Sequence, residues 1–203
     1  AADAEGFLRH VLERVDLRRD LHFVVNTTMD TLDYSGHGLN AGSKVIVCGV
    51  GQRRRSLGRE VPTLSLPAGF GPIALPLPGV VVVGAPPCHE RDDQKERLAA
   101  ALEGSPLDGD GTPFPLVVMA DDPTFAARNL GNFLWTTFTR SNPAADITGV
   151  GAFVVDKGWG ARGSLVVDAR AKPHHAPPLV EDPAVTARVD ALARRAGPLA
   201  RFL

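Results

Sequence analysis

The side chains of this sequence that could do chemistry lie in three short groups. Asp121-Asp122 ends an apolar stretch, Arg53-Arg54-Arg55 follows a pair of glycines, and His174-His175 lies between prolines. Paired carboxylates can transfer protons when one pKa is raised, arginines can hold phosphate or carboxylate, and exposed imidazoles can reach a partner. The elements that surround each group decide whether such chemistry or a structural role is favoured.

For the acidic pair, the sequence favours a structural role. Asp is a preferred helix N-cap and Pro123 is tolerated at the first helical position, so we expect Asp122 to cap a helix. The carboxyl ends of parallel strands are also where open α/β sheets bind ligands, which keeps proton chemistry as the alternative for Asp121-Asp122.

The arginine and histidine groups are interpreted as surface features. Gly49-Val50-Gly51 resembles the start of a dinucleotide fingerprint, but Arg54 occupies the third glycine position, so a tight turn is favoured. Arg53 to Arg55 then form a solvated loop, with binding of phosphate or of a neighbouring subunit's carboxylates as the alternative. His174 and His175 are expected to be surface histidines, and a contact of their imidazoles with a partner stays open.

Composition and spacing exclude several other classes. The 203 residues carry 22 basic and 23 acidic side chains, which is not the footprint of a nucleic-acid-binding protein. The longest apolar run, around Val80 to Val83, is far too short to span a membrane, and no signal segment is visible, so we expect a cytoplasmic protein. Cys48 and Cys88 are expected to be small buried residues at strand ends and not a disulfide, and no zinc-like spacing occurs.

Apolar periodicity predicts an α/β fold: one domain with a mostly parallel or mixed sheet flanked by helices. The predicted helices cover 3–15, 92–103, a segment from 123 to about 141, and about 182–196. The predicted strands cover 21–26, 44–48, 79–84, 116–120, 153–155 and 165–167. No serine lies in a G-x-S-x-G frame, so the residues alone predict no self-sufficient catalytic group.

Three blocks of sequence carry a resemblance to a known family. The first is Leu116 to Asp122 followed by Asn132 to Asp146, with a Leu-Trp pair and a Thr-Arg-x-x-Pro-x-x-Asp ending. The second is Gly163 to Arg170, and the third is Thr31 to Tyr34 with Gly42 to Lys44. In this order they resemble the C-terminal domain of UbiD-type decarboxylases, over about residues 21–192.

The resemblance implies a non-oxidative decarboxylase (carboxy-lyase) acting on an aromatic or α,β-unsaturated carboxylic acid. It implies prenylated FMN with a divalent metal, Mn or Mg, and K+ in the complete enzyme, held by an N-terminal flavin-binding domain that this sequence lacks. Residues 1–203 would form the C-terminal lid and oligomerisation domain of a homo-oligomer, inactive alone. The helix over about 182–196 would reach a neighbouring subunit.

The resemblance assigns no catalytic, cofactor-binding or metal-binding residue to this chain. Leu165 stands where the family has a lysine, so we expect this chain alone to bind no cofactor. Phe153, Lys157 and Trp159 are predicted to border the substrate pocket.

The remaining conspicuous side chains are given structural roles. Phe133 and Trp135 are assigned to the core, and Arg140 and Asp146 to helix ends.

Two other functions stay open. The chain could be a non-catalytic scaffold or binding module that retains the fold. It could also be an independent small-molecule enzyme that uses Arg53 to Arg55 and the Gly49 turn.

Overall fold

The computed structural model describes residues 3–90, 92–177, 180–194 and 197–200. The helices are α1 (Ala4–Arg14), α2 (Gln94–Ala101), α3 (Pro123–Ala127), α4 (Leu130–Thr139), α5 (Pro143–Asp146) and α6 (Pro183–Ala193). The strands are β1 (Leu21–Thr28), β2 (Ala41–Val47), β3 (Ile73–Ala74), β4 (Val80–Gly84), β5 (Leu116–Ala120), β6 (Ile147–Gly149), β7 (Ala152–Val155), β8 (Gly158–Ala161) and β9 (Leu165–Asp168).

A five-stranded mixed sheet in the order β3-β4-β5-β9-β6 forms the centre of the fold. Strands β4, β5 and β9 are parallel, whereas the short edge strands β3 and β6 are antiparallel to their neighbours. The valines of β4 are fully buried because their side chains enter two cores, one on each face. The predicted α/β fold with a mixed sheet is therefore confirmed.

Two hairpins lie outside this sheet. Within the part of the chain that the structure describes, strand β2 pairs only with β1, and β7 pairs only with β8. The prediction of a buried strand at 44–48 is wrong in its burial, because a two-stranded hairpin packs on one face and leaves Lys44, Ile46 and Val47 exposed.

The single helix predicted from 123 to about 141 is in fact two helices, α3 and α4. Asn129 interrupts it and caps α4, its side-chain oxygen accepting from the Asn132 N–H at 2.8 Å. Phe133 and Trp135 are two positions apart on α4, a spacing that puts them on opposite faces of the helix. Phe133 is buried as predicted, but Trp135 is 50% exposed, so its assignment to the core was wrong.

The predictions for the final helix and for the two cysteines are confirmed in part. Asp182 caps α6, which begins at Pro183 as predicted; residues 195 and 196 of the predicted helix lie outside the described residues. Cys48 and Cys88 are free thiols, as expected, but both are partly exposed and not buried.

Candidate functional site

A cleft of about 440 Å³ lies at the edge of the sheet where the parallel strands end. Its lining includes Cys88, Asp92, Asp146, Asp168, Lys172 and His174. These residues come from the segment after β4, the end of α5, and the end of β9 with the segment after it. We call this the carboxyl-edge cleft; it is where open α/β sheets usually bind ligands.

Arg170 is fully buried beneath the carboxyl-edge cleft and joins two of its segments. Its Nε donates to Asp168 at 2.9 Å, one Nη to Asp92 at 3.0 Å, and the other Nη to the Pro86 carbonyl at 2.7 Å. Further bonds to the same two carboxylates occupy the remaining N–H groups of the guanidinium. Every donor of Arg170 is thus satisfied within the chain.

The Arg170 guanidinium and the Asp92 carboxylate stabilise each other's charged form. Burial alone would lower the pKa of Arg170, but hydrogen bonds to Asp168 and Asp92 raise it. Burial likewise opposes ionisation of Asp92, yet hydrogen bonds from Arg170 and from backbone N–H groups hold its pKa below the usual value. Arg170 and Asp92 therefore remain ionised at neutral pH, and their hydrogen bonds with Asp168 form the floor of the cleft.

Lys172 is the second cation of the carboxyl-edge cleft. Its Nζ donates to the Asp168 carbonyl at 2.6 Å and the Arg140 carbonyl at 2.7 Å, and lies 3.2 Å from an Asp146 carboxylate oxygen. Burial raises the pKa of Asp146 although Lys172 opposes that shift. Asp146 also accepts from the Asn142 N–H at 2.6 Å, which confirms its predicted role at a helix end.

The acidic pair after β5 has the structural role predicted for it. Asp122 accepts the Phe125 N–H at 2.8 Å and caps α3. Asp121 pairs with Arg140 at 2.9 Å and accepts the Ala171 N–H at 2.8 Å, which ties α4 to the segment after β9. Asp121 therefore helps to hold the segment after β9, whose Lys172 and His174 line the carboxyl-edge cleft.

The two adjacent histidines differ in environment. His174 is exposed, whereas His175 is partly buried, which the surface interpretation did not anticipate. The His175 Nδ1 accepts the Lys172 N–H at 3.2 Å, and its buried Nε2 has no hydrogen-bond partner among the described residues. Burial, together with the nearby cations Lys172 and Arg140, lowers the pKa of His175 to about 4.

The lowered pKa of His175 predicts a pH-dependent stability. The unfolded chain binds a proton near pH 6.5, whereas the folded chain does so only near pH 4, so this contribution is present above pH 6.5 and is lost as the pH falls towards 4. We expect the loss to be about 3 kcal/mol at most. Urea unfolding from pH 7 to pH 4 should show a shallower decline for His175→Gln than for His174→Gln. Parallel pH profiles of the two variants would contradict this assignment.

The predicted pocket residues lie at the opposite edge of the sheet. The β7–β8 hairpin connects Gly149 to Leu165, which pair at the amino end of β9, so the hairpin is far from the carboxyl-edge cleft. Trp159 packs edge-to-face on Phe23 at 5.3 Å between ring centroids. Phe153 is partly buried. The structure thus brings Phe153 and Trp159 into one hairpin, and their role at a substrate pocket stays a prediction.

Lys157 occupies the exposed turn of this hairpin in a left-handed conformation. Its φ is +66° and that of Asp156 is +49°, as in the type I′ turn that favours Asn or Asp followed by Gly. We expect Lys157→Gly to raise the free energy of unfolding by about 0.5–1 kcal/mol, since glycine adopts this conformation without a Cβ clash. Lys157→Ala removes the same long side chain but keeps the Cβ, so equal stabilisation by both variants in urea unfolding would refute the explanation.

The arginine run is less solvated than the sequence suggested. Arg55 is buried and donates to the Leu12 carbonyl at 2.7 Å and the Val15 carbonyl at 2.8 Å, which corrects the loop interpretation for this residue. Arg53 and Arg54 are more exposed and take part in ion pairs. Gly51, with φ +92°, forms the expected turn.

Sequence reasoning did not assign the charged cluster of Arg170, Asp168 and Asp92. The available signal was an Asp and an Arg two residues apart directly after an apolar strand, a place where charges need partners if they are buried. No group of three or more His, Cys, Asp or Glu side chains is placed to hold a metal ion within the described ranges. The described helices include none with the length and hydropathy to cross a membrane.

Residues 1–49 match the family model of the 3-octaprenyl-4-hydroxybenzoate carboxy-lyase (UbiD) C-terminal domain. The chain is also similar to a protein of Chlamydia pneumoniae that is named as a subunit of 4-hydroxybenzoate decarboxylase, with 30% identity over 182 residues. That alignment covers 90% of this chain and 29% of the relative. The chain is related to the UbiD C-terminal domain. The resemblance to the UbiD C-terminal domain is thereby confirmed for residues 1–49, which contain the third of the three sequence blocks.

Other relatives of this UbiD-related chain show the same pattern of coverage. An uncharacterized protein of Chlamydia trachomatis serovar D is 39% identical over 150 residues, which is 72% of this chain and 24% of that protein. One from Chlamydia muridarum is 34% identical over 170 residues, 84% of this chain and 28% of that protein. The UbiD-related chain therefore spans about a quarter of the length of the curated relatives it matches.

Proposed function

We propose that this chain is the C-terminal, lid-and-assembly part of a UbiD-type non-oxidative decarboxylase. The substrate would be an aromatic or α,β-unsaturated carboxylic acid. The similarity to a relative named as part of a 4-hydroxybenzoate decarboxylase carries this proposal. The chain would act with a flavin-binding part supplied by further sequence or by another chain.

The side chains of the carboxyl-edge cleft do not fit a cofactor site. Arg170 and Lys172, the buried cations available for a flavin phosphate, are already bound by carboxylates and backbone carbonyls. The described carboxylates and imidazoles form no cluster that could hold a divalent metal. We propose that prenylated FMN, its Mn or Mg ion and K+ are held by the flavin-binding part, and we derive no bond-breaking step from this chain.

Helix α6 supports the assembly role. Val185, Val189 and Leu192 recur at helical spacing and are 45–51% exposed, and no side chain of the helix is buried. An apolar stripe of this kind favours burial against another protein surface. In the proposed enzyme it packs on a neighbouring subunit of a homo-oligomer.

A reconstitution experiment tests the proposal. The chain is mixed with a UbiD flavin-binding domain loaded with prenylated FMN, and CO₂ release from 4-hydroxybenzoate and cinnamate is measured. We expect each component alone to give less than about 1% of the combined rate, because neither holds a complete site. Full activity of the flavin-binding domain alone, or flavin retention with turnover by this chain alone, would reject the proposal.

The assembly role has its own variant pair on α6. Val189→Asp places a charge in the apolar stripe and should shift the sedimentation of the chain towards monomer, whereas the exposed neighbour Arg188→Gln should not.

A second candidate function, a non-catalytic scaffold, is favoured by the saturated charges of the carboxyl-edge cleft. It predicts a stable oligomer that binds no flavin-binding partner and adds no activity to it.

A further inference from the structure

A second cavity, of about 420 Å³, lies at the amino edge of the sheet, opposite the carboxyl-edge cleft. It is bounded by the end of α1, the loop after β2 and the turn that precedes β5. Its charged lining residues are Arg14, Arg19, Arg53, Arg54 and Asp110. Four cations and one anion therefore face the same space.

The positive and negative charges of the ion pairs around this cavity do not cancel. Six arginines take part in the network or adjoin it: Arg14, Arg18, Arg19, Arg53, Arg54 and Arg55. Their carboxylate partners are four: Glu13, Asp16, Asp20 and Asp110. We call these ten residues the arginine cluster; it holds two positive charges in excess, although the whole chain has a net charge of −1.

The backbone and the carboxylates hold these guanidinium groups in place before any ligand binds. The Arg54 N–H donates to the Glu13 carbonyl at 2.8 Å, and buried Arg55 anchors the loop to the end of α1. The Arg54 side chain lies 2.9 Å from Asp110 and 3.2 Å from Asp16. A ligand would thus lose less side-chain freedom on binding than at an isolated surface arginine.

The cations that line the cavity are accessible as well as positioned. The side chains of Arg19 and Arg53 are 71% and 54% exposed. Guanidinium groups bind phosphoryl oxygens through paired N–H donors, and a phosphoryl group carries a charge of about −1.5 to −2 at neutral pH. That charge matches the excess of the arginine cluster.

We propose that this cavity binds the phosphoryl group of a phosphorylated small molecule. Its volume lies within the range of known small-molecule pockets, about 300–1,000 Å³. Val50, Gly51 and Gly111 provide a less polar wall beside the arginines, where an organic group can lie. The site is distinct from the carboxyl-edge cleft and does not depend on the decarboxylase proposal.

Calorimetric titration of the full chain with pyrophosphate and with ADP tests the inference. We expect saturable binding at one site, and Arg19→Gln and Arg53→Gln should each weaken it about tenfold. Asp110→Asn removes the carboxylate that faces the ligand and should strengthen binding about threefold. Arg188→Gln, an exposed arginine of α6 outside the cavity, serves as the matched control and should leave binding unchanged.

The probes separate the sources of affinity. If ADP binds more tightly than pyrophosphate, the organic group contributes part of the affinity. If the two bind equally, the phosphoryl groups provide the affinity. Both results support the proposal. Malonate tests whether a carboxylate can substitute. Equal binding of malonate, no saturable binding of either phosphorylated probe, or equal weakening by Arg188→Gln would overturn the proposal. Urea unfolding of each variant verifies that it is folded. If Arg53→Gln is not folded, the variant Arg19→Gln, at a more exposed side chain, tests the proposal.

Discussion

Replacing Arg170 with Met should lower the free energy of unfolding by about 3–5 kcal/mol. Arg170 is fully buried, and its guanidinium is the hydrogen-bonded counter-charge of Asp92 and Asp168. Met has a similar length but no charge, so both carboxylates would remain buried without their main partner. Urea unfolding measured at pH 7 gives the difference directly.

Two further variants show whether the loss of stability in Arg170→Met comes from the missing charge. Arg162→Met removes an ion pair with Asp108, but Arg162 is 54% exposed, so its effect should stay below about 1 kcal/mol. Adding Asp92→Asn and Asp168→Asn to Arg170→Met should recover part of the loss, since neutral amides need no counter-charge. A loss below about 1 kcal/mol for Arg170→Met, or no recovery in the triple variant, would contradict the interpretation.

Replacing Phe133 with Ala should also cost about 3–5 kcal/mol, through the loss of apolar burial and the cavity that remains. The ring of Phe133 is 1% exposed and belongs to the core cluster that includes Val82, Val118 and Ala126. This core covers one face of the central sheet, so the helix pair α3 and α4 depends on it. Thermal and urea unfolding both measure the change.

Trp135 provides the matched comparison from the same helix. Its larger ring is half exposed and contacts Phe125 edge-to-face at 6.1 Å and the Arg140 guanidinium at 4.9 Å from the ring centroid. Such surface contacts are worth about 1 kcal/mol, so Trp135→Ala should be much milder than Phe133→Ala. If the two substitutions destabilise equally, the helix does not face the sheet as described.

The central strands could be predicted because their residues are apolar on both faces, and burial on both sides leaves no other arrangement for Val80 to Val83. The caps at Asp122 and Asp182 were predictable for a similar reason, since they depend on neighbouring residues alone. Local chemistry and continuous hydrophobicity were sufficient for these elements.

The charged floor of the carboxyl-edge cleft could not be predicted in the same way. Arg170 and Asp92 are 78 residues apart, and only the parallel pairing of β4, β5 and β9 brings them together. The exposure of Trp135 was missed because Phe133 and Trp135, two positions apart on α4, lie on opposite faces of the helix and cannot both face the sheet. The first error concerns an arrangement that depends on the whole sheet, whereas the second concerns the spacing of residues on one helix.

The edge strands of the central sheet limit how copies of this protein can associate. Strand β3 has two residues and β6 has three, and each offers too few backbone donors and acceptors to recruit an additional strand. A continuous intermolecular sheet along either border is therefore disfavoured. Association through the central sheet must instead depend on side-chain surfaces, where a single substitution can alter the stoichiometry without disturbing the strands beneath.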